Sequence, residues 1–541
     1  MKKKVIWLVL SGGMVLTLLL SACAPAVVEK EKKAAPKEVV TPKEEVVTPK
    51  EEAVAKEVVV PKEEERFVKW TGKKLDGTVV EKMIEKPKYG GIVTFVKLED
   101  PARGWSRTTH FFRGHTWAYF MTNDALYQHD RWRGPAGTGE YSGLYNVELP
   151  VDLLAGGLAE SWEIQPDTIT LKIRKGIYWH DKAPTYGAQL TAEDVVYSYV
   201  LGYSAKSTWP TAYPYISNLK NPAESIYVDP DDPWSVVFKT DPQFAALLWE
   251  RLGTQVIMPQ VLGDPDGTGP DTWDWKTISG TGPFIMKDFI AASSLTYRRN
   301  PNYWDHDPFF PENQLPYVDG VKVFIIPDRS TQQAALRTGK IDVLAEIIDE
   351  EWESLMRSNP ELKWQPSWLE GWALQMRHDV KPFDDVRVRR ALAMAIDQDS
   401  IVKDYYRGKA EKFYWPPFPI PEHQRMYVPI EQMPQSVQEL YEYHPDKAKQ
   451  LLAEAGYPNG FKTSIVLNSA QQEWIDLSTI VANHWAKVGV DLELQLKAPA
   501  VFASMARQNT HEQGMWATVF MTAPIKFTEA RVDSQNNHAM M

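Results

Sequence analysis

Cysteine is all but absent from this chain: there is one, Cys23, in 541 residues. Intramolecular disulfides are therefore excluded, and so is a zinc site built on cysteines. The usual catalytic signatures are missing as well. There is no HExxH metal motif, no GxSxG nucleophile turn and no glycine-rich phosphate loop. His110, His115 and His129 stand five and fourteen residues apart and fit no metal pattern. The 60 Lys and Arg residues are outnumbered by 71 Asp and Glu, giving a formal net charge of -11. The basic residues form no stripe interleaved with aromatics, which excludes nucleic acid as a partner. The apolar run Val5 to Leu20 is interrupted by Ser11, Gly12, Gly13 and Thr17 and is short for a membrane span.

That run reads differently with its flanks. Lys2-Lys3-Lys4 precedes it and the small residues Ser21-Ala22-Cys23 follow. A basic start, an apolar middle and a small-residue cleavage site make an export signal over residues 1–22. Leu20-Ser21-Ala22-Cys23 resembles the bacterial lipobox, which implies that the Cys23 thiol is acylated and becomes the mature N-terminus. Several acyl chains hold a protein firmly on a bilayer where one is marginal.

Residues 23–66 carry no aromatic side chain and repeat themselves. EVVTPKE spans Glu38–Glu44 and again Glu45–Glu51, and EVVVPKE spans Glu57–Glu63. Pro42, Pro49 and Pro61 argue against a helix, so this reads as an extended, disordered tether. A flexible coil of about forty residues reaches roughly 35 Å.

The globular pattern starts at Tyr89. Gly91 to Val96 reads as a buried strand, and Ile169 to Ile173 as an alternating one. Thr191-Ala192-Glu193-Asp194 opens a helix. Strands are expected at Trp234–Phe238 and Val321–Ile326, and a short helix over Thr331–Thr338. Asp384-Asp385 caps a helix with Val388, Leu392, Ala395 and Ile396 inward. Pro445–Ala455 is a helix stopped by Gly456. The class is mixed α/β.

Several segments carry a more specific signal. They are Gly157-Leu158-Ala159-Glu160-Ser161-Trp162-Glu163, LKIRKGIYWH (Leu171–His180), Leu190 to Ser198, Gly280-Thr281-Gly282-Pro283-Phe284, Arg299 to Trp304, Leu336 to Asp342, Phe383 to Leu392, and AKQLLAEAGY (Ala448–Tyr457). In this order the chain resembles the family 5 extracellular solute-binding proteins of ATP-binding-cassette importers, the peptide, nickel and oligosaccharide group. The resemblance implies a two-lobed clamshell of the periplasmic-binding-protein type with an extra subdomain. It implies no enzymatic activity and no cofactor. A small organic ligand, a peptide or an oligosaccharide, would be enclosed by lobe closure and passed to a membrane permease. On this reading 67–125 and 225–300 belong to the first lobe, 126–224 to the extra subdomain and 301–541 to the second lobe. The family continues beyond Met541 and returns to the first lobe, so the chain reads as C-terminally truncated, with the segment after Ile525 poorly packed.

Ligand residues are sought among aromatics, because 21 Trp and 12% aromatics offer flat stacking platforms. Candidates are Trp415, Trp209 and Tyr213 in Pro-rich loops, Trp372 beside Gly371, Tyr127 in an early loop, and Trp516 and Phe520 near the end. Peptide-binding members place an Asp three residues after a Trp in that last segment to pair with the ligand amine. Alignment sets Phe520 at the Trp and Ala523 at the Asp, so amine capture needs another carboxylate. An acylated, membrane-anchored monomer on the outer side of the cell membrane is expected. The rival readings are a surface sensor or adhesin without a transporter, and a secreted glycoside hydrolase.

Overall fold

The computed structural model describes residues 66–540 apart from 99, 102–117, 119–120, 145–148, 204–213, 254–256, 263–274, 346, 348, 366–370, 411, 413–419, 424–426, 500, 503–504, 506–510, 512–513 and 520–537. The first element is a hairpin of β1 (Phe67–Lys73) and β2 (Val79–Glu85). Period-two alternation sets its two faces: Trp70 pairs with Lys82 and Gly72 with Val80 on one, Lys69 with Met83 on the other. Trp70 is buried, edge-on to Trp132 at 4.8 Å and to Phe309 at 5.5 Å. Gly72 is required beneath it, since a Cβ there would lie 2.2 Å from the indole.

β3 (Ile92–Lys97) follows, then a short pair, β4 (Tyr127–His129) and β5 (Leu154–Gly156). β6 (Ala159–Ile164), β7 (Thr168–Ile173), β8 (Ile226–Asp229) and β9 (Asp232–Lys239) form an antiparallel sheet in the order β6-β7-β9-β8. Ile169, Leu171 and Ile173 alternate inward and are fully buried against α1 (Ala192–Gly202) and α2 (Ala245–Leu252). Thr191 is the N-cap of α1, and the Asp194 carboxylate accepts its backbone N–H at 3.0 Å. The β7–β9 ladder runs across the boundary expected between 224 and 225, because hydrogen bonding, not chain order, groups these strands.

The second sheet runs β10 (Phe284–Ile290), β11 (Ser294–Arg299), β12 (Gly320–Ile325), β3, with β12 and β3 parallel. β12 lies in the stretch assigned from sequence to the second lobe, yet it pairs with β3 of the first. Leu295, Tyr297, Val321 and Val323 fill its core. α3 (Arg329–Arg337), capped by Asp328, and α4 (Asp349–Ser358) are tied by Arg329 to Glu351 at 2.8 Å.

The third sheet runs β15 (Val490–Lys497), β14 (Phe461–Asn468), β16 (Gly514–Val519), β13 (Gly371–Arg377), β17 (His538–Met540). α5 (Val386–Met394), α6 (Pro445–Glu454) and α7 (Gln472–Ala486) share its core, with Val388, Leu392, Leu452, Val481 and Trp485 buried. Asp385 caps α5 through the backbone N–H of Arg387 at 2.8 Å. Gly456 closes α6 at φ 94. β17 pairs with β13, while 520–537, most of the segment expected to pack poorly, lies outside the described residues.

Candidate ligand-binding site

The three sheets have separate cores, so a ligand that senses their arrangement must touch more than one. Two described contacts link the part carrying the third sheet to the rest. In one, Glu422 Oε1 accepts the backbone N–H of Ser142 at 2.7 Å and its hydroxyl at 2.6 Å. Glu422 sits in a single turn, Pro421–His423, and is buried. In the other, Lys409 reaches Glu353 of α4 at 3.5 Å and Arg407 reaches Glu350 at 3.7 Å. These last pairs are exposed and worth little singly.

A third junction joins the first and second sheets. Gly282 N–H donates to Thr122 O at 2.9 Å, and a Cβ on Gly280 would lie 1.8 Å from that oxygen. His180 spans the same turn: Nδ1 accepts from Gly280 N–H at 3.2 Å, and Nε2 lies 3.0 Å from Gly282 O. That geometry requires a neutral ring protonated on Nε2. Burial, with Lys182 and Arg298 nearby, pushes its pKa down to about 4. Asp124 accepts from Thr281 at 2.9 Å, Tyr303 at 3.0 Å and Trp304 at 3.0 Å, and burial raises its pKa. Three donors thus converge on its two oxygens, and this acid staples the crossover. Among the described residues no group of three or more His, Cys, Asp or Glu is placed to hold a metal.

The aromatic candidates separate. Trp372 stands opposite Thr518, and Trp516 opposite Leu374, in the β13–β16 ladder. The structure thus brings these two together on adjacent strands, where the sequence separates them by more than a hundred residues. Tyr127 is buried in the core of the first sheet, stacked 4.4 Å from Trp249, and its hydroxyl donates to Trp249 O. Its ring serves packing. Trp209, Tyr213, Trp415, Phe520 and the lipidation residue Cys23 lie outside the described residues. Arg387 and Arg389 are accounted for locally, by Asp385 at 2.6 Å and Phe383 O at 2.5 Å. Glu422 is the residue that sequence reasoning missed: it is one acid in a Pro-rich stretch, and only folding places it against Ser142. No helix among the described residues is long and apolar enough to cross a membrane.

The family described as bacterial extracellular solute-binding proteins, family 5 Middle, matches residues 154–535, more than half of the chain. Heme-binding protein A of Haemophilus influenzae is 30% identical over 354 residues, which cover 62% of this chain and 60% of that protein. The dipeptide-binding protein of Escherichia coli K12 is 27% identical over 403 residues, 69% of each. The chain thus spans less than two thirds of the first relative's length. A solved periplasmic binding protein, DppA from Helicobacter pylori in complex with the peptide STSA, has a TM-score of 0.57 and 24% identity, covering 80% of this chain and 78% of that one. At that identity the likeness shows the fold.

Proposed function

We propose a role that proceeds from one premise: the chain belongs to the bacterial extracellular solute-binding proteins, family 5. It captures a small peptide-like ligand outside the cytoplasm and delivers it to the permease of an ATP-binding-cassette importer. The family match over residues 154–535 carries this reading. A dipeptide-binding relative and a peptide-bound neighbour support the ligand class. Capture involves no chemistry on the ligand: closure needs contacts made to both sides of the site only in the closed state. To that site we assign the positions Trp372 and Trp516, which β13 and β16 carry on adjacent strands. The basic, apolar and small-residue run ending at Cys23 supports export and acylation, with residues 23–66 as tether.

The test is a thermal-shift screen of the purified protein against peptides, oligosaccharides and metal chelates. A ligand that binds only the folded state raises the melting temperature, by about 2.7 kcal/mol of stability at a hundred times its dissociation constant. Response to peptides supports the reading. Response to oligosaccharides alone replaces the ligand class, and a cooperative melt with no response to any class sinks the importer role.

A further inference from the structure

The hairpin of β1 and β2 spends one face on packing and turns the other outward. It is fixed to the body at three points: Trp70 on Trp132 and Phe309, Lys82 Nζ donating to Pro135 O at 2.8 Å, and the Leu75 N–H donating to Glu140 Oε1 at 2.8 Å. A two-stranded ribbon is marginal on its own, so these contacts hold the outer face in place. On that face Lys69 stands opposite Met83, Thr71 opposite Glu81 and Lys73 opposite Val79. Met83 is 62% exposed, Val79 61%, and Leu75 at the tip 47%.

Charge also sets this element apart. Residues 66–88 hold seven Lys or Arg and three Asp or Glu, in a chain whose acids outnumber its bases by 71 to 60. Arg66 pairs with Glu85 at 2.6 Å and Lys69 with Glu81 at 2.8 Å, both across the hairpin. Lys82 is turned to the body. The remaining charges are Lys73, Lys74, Lys86 and Lys88 against Asp76, a net positive surface around exposed aliphatic side chains.

We infer that this outer face docks on the headgroup layer of an anionic bilayer, with Met83, Val79 and Leu75 entering it and the four lysines binding lipid phosphates. Basic side chains around exposed aliphatics are the pattern of an element that lies on a membrane surface. The hairpin follows the tether directly, and a reach of roughly 35 Å keeps it near the bilayer at an effective concentration on the order of millimolar. Contacts too weak to recruit a soluble protein then suffice. Docking fixes which side of the globular part faces the membrane, and it is independent of the ligand class.

For the test, the full-length protein is reconstituted on vesicles whose lipids carry a nitroxide quencher at the headgroup. A fluorophore is placed on Met83→Cys or, as a control site, on Leu496→Cys in β15, which is 51% exposed. The parent, labelled in parallel, gives the background from Cys23. On vesicles containing phosphatidylglycerol the Met83 site is expected to be quenched at least threefold more than the Leu496 site. The excess should vanish on phosphatidylcholine alone and in about 1 M salt. Lys73→Gln combined with Lys74→Gln should lower the ratio of docked to undocked protein about 25-fold, at about fivefold for each lysine. Limited proteolysis of the hairpin at the parent's rate shows that this variant has lost lipid contact and not folding; where cutting quickens, the lipid and salt comparison with the lysines intact decides alone. Equal quenching of the two sites, or quenching indifferent to lipid charge, overturns the assignment. Fluorescence that responds to a soluble polyanion and not to vesicles assigns the face to another partner and overturns it likewise.

Discussion

His180 makes the stability of this protein depend on pH in a window that can be stated in advance. Its ring is 1% exposed, accepts at Nδ1 and donates from Nε2, so protonating Nδ1 would turn a donor against the Gly280 N–H. The folded pKa is lowered from 6.5 to about 4, with burial the first cause. The unfolded chain therefore binds the proton first as pH falls. Stability contributed by the neutral ring is complete above 6.5 and is lost between 6.5 and about 4. At 1.36 kcal/mol for each decade, the full loss is about 3 kcal/mol, of which about 2 kcal/mol falls between about pH 7.5 and about pH 5. Other acids and histidines titrate in the same range, so the measurement is a difference. Urea unfolding of the parent and of His180→Gln is followed at several pH values. The glutamine amide keeps a donor toward Gly282 O and leaves Gly280 N–H unpaired, which costs about 1–3 kcal/mol at neutral pH. The gap between the two proteins should shrink by about 2 kcal/mol on acidification to about pH 5. A gap that stays constant with pH refutes the neutral-ring argument, whatever its size.

Three further outcomes follow from the geometry. Asp385→Ala removes the N-cap of α5 and should lower unfolding stability by about 1 kcal/mol, measured by urea denaturation; no loss would mean that the Arg387 N–H is satisfied without it. Gly280→Ala forces a methyl to 1.8 Å from Thr122 O and should lower stability by about 3 kcal/mol, more than alanine at the open Gly176 with its φ of 78, as compared by thermal melting. Trp70→Ala empties the contact with Trp132 and Phe309, so limited proteolysis should cut the Phe67–Glu85 hairpin faster while the main unfolding transition holds its midpoint; an unchanged cutting rate would show that Lys82 to Pro135 O and Leu75 N to Glu140 suffice to hold it.

The family was legible before any coordinates, because its signature segments are local and several are turns, caps and crossings whose residue types are dictated by backbone geometry. Thr191 with Asp194, Asp385 and the Pro445–Gly456 pair are of this kind, and each marks its helix as expected. The alternation of Thr168–Ile173 likewise betrays a strand with one buried face. The hairpin at Phe67–Glu85 gives no such warning. Its charged, alternating sequence continues the style of the tether, and only Trp70 finding Trp132 and Phe309 makes it a docked element.

Amino-acid order by itself determined the class and the cap positions, because those depend on residues within a turn or two of one another. Tertiary structure alone decided which strands share a sheet: β3 joins β12 across more than two hundred residues, and β9 joins β7 across a boundary drawn from sequence. It also decided the fate of single polar groups. Asp124 collects three donors from residues 281–304, His180 is held neutral by two glycines a hundred residues away, and Glu422 is buried with one oxygen left over. Hydrogen-bond satisfaction is a property of everything that surrounds a side chain, and those surroundings are assembled from segments whose separation along the chain carries no record of their meeting.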